Sequence, residues 1–286
     1  MLIGGFQSTT LLDYPGHLAC TVFTQGCNFR CPFCQNGSLV LPEKFETSFS
    51  EEDILARIRK RTGIYEGVCV SGGEPTNQPD LAEFLKKIKD MGLLVKLDSN
   101  GTRPEVLKQL YEESLIDMIA MDIKAAPAQF AEVCGLTEGT AEKLLAKSSE
   151  SIEFIMNCGI EYEFRTTLVK GLHDINQTEE LAMQISNAKA YFLQSYTDSD
   201  LIINKLNGNT QQFESFSEDE LNKILVTVRN HVPNAELRGI DYTKAYTTKD
   251  CDQLFAVLYS RYLSTISAIL SVTASSKFLI SRPVFF

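Results

Sequence analysis

Residues 18–34 read LACTVFTQGCNFRCPFC, an apolar run that passes directly into three cysteines within eight residues. Residues 18–24 are strand formers, and Cys27, Cys31 and Cys34 form a C-x3-C-x2-C array just beyond them. The same order of signals recurs downstream. Residues 67–70 form a second β-rich run that ends at Ser71-Gly72-Gly73-Glu74-Pro75. A helix from about Asp80 then carries Leu81, Phe84, Leu85 and Ile88 on one face. Residues 93–97 end at Asp98-Ser99-Asn100-Gly101 and lead into a helix through Val106, Leu107 and Leu110. Residues 118–123 contain Asp122 and are followed by Lys124. Residues 140–158 read as helix, 162–169 as strand, the segment after Thr178 as helix and 190–196 as strand. Ser50 with Asp53, and Ser217 with Glu220, have the spacing of capped helix starts. About six βα units follow from this, hence an α/β fold with a mostly parallel sheet. In such sheets the chemistry sits at the carboxyl ends of the strands, where all the polar, glycine-rich turns fall.

The rest of the composition narrows the function. With 286 residues, 44% hydrophobic and 22% charged, the chain is long and apolar enough for a globular core, which excludes a disordered protein. A net charge of -10 argues against non-specific binding to nucleic acid or to anionic membranes. Residues 1–16 lack the basic and apolar regions of a secretory signal, so a cytoplasmic location and reduced thiols are expected. Residues 253–286 contain no acidic residue, and Arg261 with scattered serines argues against a membrane helix there. That stretch is expected to be an extension without an assigned role.

Three thiolates on one loop suit a soft metal or three irons of a cubane cluster. A structural zinc site is the rival, but zinc normally takes a second Cys/His pair, and no C-x2-C or H-x3-H pair occurs elsewhere. Cys20 and His17 lack pair spacing. Cys20, Cys69, Cys134, Cys158 and Cys251 read as core or incidental thiols, and His17, His173 and His231 as ordinary residues. Three ligands on a four-iron cluster would leave one iron open, as catalytic sites do.

With Phe33 before the third cysteine, the array resembles the radical S-adenosylmethionine (SAM) superfamily. The opening Gly5-Phe6-Gln7, Leu11-Leu12-Asp13-Tyr14-Pro15-Gly16 and Phe23-Thr24-Gln25-Gly26-Cys27-Asn28 resembles glycyl-radical-enzyme activating proteins, with Glu236-Leu237-Arg238-Gly239 near the end of the resemblance. Within them it resembles the group acting on anaerobic ribonucleoside-triphosphate reductase. The resemblance runs over roughly residues 3–240. It implies a partial (β/α)6 barrel of the radical SAM type in a core domain over residues 1–245, with a C-terminal extension over 246–286. It also implies one [4Fe-4S] cluster on Cys27, Cys31 and Cys34 that cleaves SAM to a 5′-deoxyadenosyl radical. Gly72, Gly73 and Glu74 match the element that contacts the SAM ammonium. Asp98 and Asn100 match the element near the SAM amino group. Asp122 matches a residue shaping the substrate or cation site, Lys124 one meeting the SAM carboxylate, and Arg165 an active-site arginine.

Two departures accompany this. Val169-Lys170-Gly171 replaces a V-P-G turn, which implies a less rigid loop, and Gln194 is the nearest candidate for a ribose-side contact. The implied partners are a glycyl radical enzyme, here the anaerobic reductase, and a flavodoxin or ferredoxin as electron donor, with no nucleic acid and no membrane. Two alternatives stand beside this: radical chemistry on a small molecule or nucleobase of the 7-deazaguanine type, and a non-enzymatic iron–sulfur or zinc protein.

Overall fold

The computed structural model describes residues 1–45 and 48–239. The extension expected at 246–286, together with Cys251, lies outside the described residues.

One eight-stranded sheet runs in simple sequence order from β1 to β8. It comprises β1 (Ile3–Thr10), β2 (Ala19–Thr24), β3 (Gly67–Gly72), β4 (Leu94–Ser99), β5 (Met118–Asp122), β6 (Glu161–Leu168), β7 (Tyr191–Ser195) and β8 (Ala235–Arg238). β1 pairs antiparallel with β2, and every later neighbour pairs in parallel. β1 and β8 are the two ends of that order, so the sheet is an open, partial barrel. All six strands expected from the sequence are present within one or two residues. The two outer ones extend the expected six-unit barrel. β1 (IGGFQSTT) has two glycines and an exposed polar stretch, and β8 is four residues long, so neither carries a buried β-strand pattern.

Beside the short helices α1 (Gly37–Val40) and α8 (Ile203–Leu206), helices with apolar stripes cover the parallel strands outside. In α2 (Glu51–Arg59) these are Ile54, Leu55 and Ile58, and in α3 (Leu81–Lys89) Leu81, Phe84, Leu85 and Ile88. α4 (Pro104–Glu112) buries Leu107 and Leu110, and α9 (Glu218–Arg229) buries Leu221, Ile224, Leu225 and Val228. The expected caps form. Ser50 Oγ accepts from Asp53 N at 3.1 Å, and Ser217 and Glu220 cap each other reciprocally. α6 (Glu138–Asn157) matches its expected span closely. α7 (Ile175–Met183) begins three residues before Thr178, because Asp174 and Gln177 form a capping box there.

Two devices seat the barrel. At the amino ends of the strands, buried Tyr14 packs on Ala19, Leu94 and Met118. A Cβ at Gly67 would lie 2.8 Å from its ring, so the first residue of β3 must be glycine for Tyr14 to fit. At the carboxyl ends, α5 (Phe130–Cys134) stops at Gly135, whose left-handed φ of 63° and lack of a side chain let it press on the Arg30 carbonyl. The cysteine loop is thereby docked against a helix end, with Arg30 N donating to Cys134 O at 2.9 Å.

Candidate active site

A cavity of about 500 Å³ opens at the carboxyl ends of the strands. Cys27, Cys31, Phe33 and Cys34 from the loop after β2 line it, with Gly72, Gly73 and Glu74 after β3. Asp98 joins from β4 and Asn100 from just after it, Asp122 from β5 and Lys124 from just after it, Arg165 from β6 and Gln194 from β7. Every site residue expected from the sequence therefore faces one cavity.

The charged residues form an alternating chain across strands. Lys96 Nζ donates to Asp98 Oδ1 at 2.7 Å, and Arg165 Nη1 donates to Asp98 Oδ2 at 3.2 Å. Arg165 Nε then meets Asp122 Oδ1 at 3.0 Å, and Lys124 Nζ meets Asp122 Oδ2 at 2.9 Å. Burial opposes ionisation of Asp122, but the Arg165 and Lys124 cations outweigh it and hold its carboxyl down at about 2. Asp98 is likewise held below its ordinary value, because Arg165 and Lys96 outweigh burial. Both carboxylates are thus fixed anions at neutral pH.

Lys96, Glu163 and Arg238 extend this chain; the sequence assigns none of them a role, although Arg238 lies in the Glu236–Gly239 stretch near the end of the resemblance. Glu163 is 2% exposed; its Oε2 accepts from Arg238 Nη2 at 3.0 Å, and its Oε1 lies 3.7 Å from Lys96 Nζ. Arg238 also lies over the Phe192 ring, 3.2 Å from its centroid. The available signal was period-two charge inside strands, Lys96 with Asp98 and Glu163 with Arg165, since residues i and i+2 share a face.

Glu74 holds the strand-end loops together. Its carboxylate accepts from Thr76 N at 3.1 Å, Thr76 Oγ1 at 2.5 Å, Ser99 Oγ at 3.0 Å and Asn100 N at 2.7 Å. Burial pushes this carboxyl above its ordinary value, against those four donors. The adjacent glycines answer to a packing constraint. A Cβ on Gly73 would fall 2.0 Å from the Gly26 carbonyl oxygen, and one on Gly72 2.4 Å from Thr24 N. Their small size lets the turn after β3 lie directly on the turn after β2.

Of the three cysteines, Cys31 is buried and Cys27 and Cys34 are half-buried. Burial pushes the Cys27 thiol up to about 12 and the Cys34 thiol up to about 11. Cys31 is also raised, first by a hydrogen bond with Cys134 and then by burial. Cys134, expected to be incidental, is therefore a neighbour of the array. Among the described residues no three His, Cys, Asp or Glu side chains already converge on one point. Metal loading would have to turn Cys31 from Cys134 and displace thiol protons. The donor set still suits a soft metal group. Three sulfurs share one loop and one cavity, Phe29 N donates to Cys27 Sγ at 3.4 Å, and the Lys124 cation acts electrostatically on Cys31 and Cys34.

Of the histidines, His17 and His231 pair with Glu66 and Glu179 outside the cavity lining. His173 is 5% exposed and braces the site: its Nδ1 accepts from Val169 N at 3.1 Å, and its Nε2 lies 2.9 Å from the Lys124 carbonyl oxygen. Its ring meets Phe33 edge-on at 6.4 Å. The turn without a proline is pinned as well, with Lys170 N donating to Glu214 O at 2.9 Å and Lys170 Nζ paired with Glu220 at 2.7 Å.

Burial lowers the His173 pKa, so neutral imidazole stabilises the fold. That stabilisation is complete above about pH 6.5, the unfolded value, and is lost as pH falls through the lowered folded value. Metal-free protein should therefore lose stability below about pH 6.5, by at most ~1.4 kcal/mol per pH unit for this one proton. Urea unfolding at several pH values should show His173→Gln lacking that component of the slope. An unchanged slope would mean that other groups cause it.

Among the described residues no helix is long and apolar enough to cross a membrane. Residues 21–182, more than half of the chain, match the family described as the radical SAM superfamily. A candidate glycyl-radical enzyme activating enzyme of Methanocaldococcus jannaschii is 28% identical over 250 residues, covering 85% of this chain and 98% of that protein. The pyruvate formate-lyase-activating enzyme of Clostridium pasteurianum is 30% identical over 135 residues, 43% of this chain and 52% of that protein. Among solved structures, SuiB of Streptococcus suis bound to S-adenosylmethionine superposes with a TM-score of 0.59 at 15% identity. That match covers 78% of this chain and 50% of that one, and it is a likeness of fold.

Proposed function

The chain belongs to the radical SAM superfamily, and from that premise we propose that it is an activase installing a glycyl radical on a partner enzyme, an anaerobic ribonucleoside-triphosphate reductase. Its cofactors are those of the superfamily, a [4Fe-4S] cluster and SAM. The observation that carries the activase reading is the similarity to the Methanocaldococcus jannaschii protein, which extends over nearly all of that protein rather than over the cysteine region alone.

In this reading Cys27, Cys31 and Cys34 hold the cluster, which with SAM supplies one-electron cleavage and a hydrogen-abstracting radical. The chain's own groups bind and orient. SAM carries an ammonium and a carboxylate, and the fixed anion Asp98 and the cation Lys124 stand on neighbouring strands to receive them. Arg165 lies between Asp98 and Asp122 and keeps both ionised without a proton. Phe33 and the main chain at Gly72 and Gly73 shape the wall, Glu74 fixes the Asn100 loop, and Gln194 serves the ribose side. A glycine-bearing segment of the partner enters at the carboxyl ends of the strands, where bound cofactor and the segment itself exclude water. We place the protein in the cytoplasm, with flavodoxin or ferredoxin as electron donor.

The test is anaerobic reconstitution with iron and sulfide, reduction, and addition of SAM and the reductase. A glycyl radical seen on the reductase by electron paramagnetic resonance is the expected result. SAM cleavage with no such signal on an anaerobic reductase would overturn the assignment.

A further inference from the structure

Asn28 follows the first cysteine of the array, and both polar atoms of its side chain bind other loops. Its Oδ1 accepts from Asn100 Nδ2 at 2.9 Å and Asn77 Nδ2 at 3.3 Å, and its Nδ2 donates to Thr102 Oγ1 at 2.8 Å. Thr102 in turn fixes the far side of the same amide, donating to Asn100 Oδ1 from its hydroxyl at 2.7 Å and from its N–H at 3.1 Å. The Asn100 backbone is held by Glu74 and by Ser148 of α6. Asn100 Nδ2 is therefore set in one orientation, and it also lies 4.0 Å from Cys27 Sγ as a donor. Asn100 lines the cavity, and its side chain engages Asn28, Thr102 and the Cys27 sulfur.

We propose that Asn28 is a positioning residue for the cluster, aiming the Asn100 amide at the Cys27 sulfur and thereby raising the cluster's reduction potential. The proposal rests on Cys27 being a cluster ligand, as in the reading above. Reduction adds negative charge that is shared by the ligand sulfurs. An N–H dipole aimed at a sulfur stabilises that charge, so losing it makes the cluster harder to reduce. Because Asn28 is joined by one peptide bond to Cys27, its clamp fixes donor and acceptor relative to each other.

The test uses the full chain, reconstituted anaerobically without SAM or partner. Iron per chain is measured, and the reduced cluster is followed by electron paramagnetic resonance during a redox titration. In Asn28→Ala the ratio of reduced to oxidised cluster at the wild-type midpoint should fall about tenfold, ~59 mV for one electron, with iron content unchanged. Thr102→Val, which removes the hydroxyl joining both amides, should shift the midpoint in the same direction. A merely structural role would lower iron content without moving the midpoint. A midpoint unmoved or raised in Asn28→Ala overturns the proposal; if that variant assembles no cluster, the same result in Thr102→Val overturns it. A shifted midpoint together with no glycyl radical on the reductase would sink the activase reading and leave this one standing.

Discussion

Cys31→Ala is expected to abolish cluster assembly and SAM cleavage, leaving a folded chain with iron and sulfide at background. Two thiolates cannot hold the cubane, and the loop has no spare sulfur in sequence to replace the third. Among the described residues, Cys134 is the neighbour that could complicate this, since its thiol already contacts Cys31. It sits on α5, however, and is fully buried in the apolar cluster around Phe29, Phe33 and Phe130. Cys158→Ala is the control. That residue caps α6, its Sγ donates only to the Ile155 carbonyl at 3.7 Å, and it lines no part of the cavity. Wild-type iron content and SAM cleavage are expected there, measured by metal analysis and product chromatography. Full turnover in Cys31→Ala would overturn the site assignment.

Arg165→Gln is expected to cost about 3–5 kcal/mol at neutral pH, because it leaves Asp98 and Asp122 buried with weaker compensation. The pH dependence carries the diagnosis. In the native chain both carboxyls lie below their ordinary values, so their pairing stabilises the fold above about pH 4. That stabilisation is lost as pH falls through the lowered values, which for Asp122 means about 2. Without the guanidinium both carboxyls should rise, and their protonation should relieve the variant before the wild type. The gap between the two proteins in urea unfolding should therefore narrow below about pH 4. A gap independent of pH would mean lost packing rather than lost charge. Arg165→Lys should recover part of the difference, since a single ammonium cannot face two carboxylates as the guanidinium's Nε and Nη1 do.

The sequence showed most of the frame because buried parallel strands and their covering helices write strong local patterns. The run at residues 67–70 and the stripe Leu81, Phe84, Leu85 and Ile88 are examples, each readable within a dozen residues. β1 and β8 escaped because outer strands need no continuous apolar run. The site divides along the same line. The three cysteines and the strand-end turns are contiguous in sequence, and all of them line one cavity. Asn28 and Arg238 act through side chains 49 to 75 residues away, such as Asn28 with Asn77 and Arg238 with Glu163, and His173 reaches the Lys124 carbonyl 49 residues away. No local pattern announces those long-range pairings, whereas Lys96 and Glu163 leave only the period-two charge within their strands. At Glu74, Gly72 and Gly73 the structure adds a loop-against-loop constraint to the ligand approach that the resemblance implies.

Tyr14 stops the amino end of β2 to β5, the strands whose carboxyl ends lead to the cysteine loop, Glu74, Asp98 and Lys124. In the proposed activase, and among the described residues, the cavity opens at the carboxyl ends of the strands, and both the cofactor and the partner's segment would come to that opening. Kinetically this imposes a queue: the small molecule enters first, the macromolecule second, and departure runs in reverse. Steady-state rates should accordingly follow compulsory-order addition, with excess partner acting as a dead-end inhibitor of the cofactor-free protein.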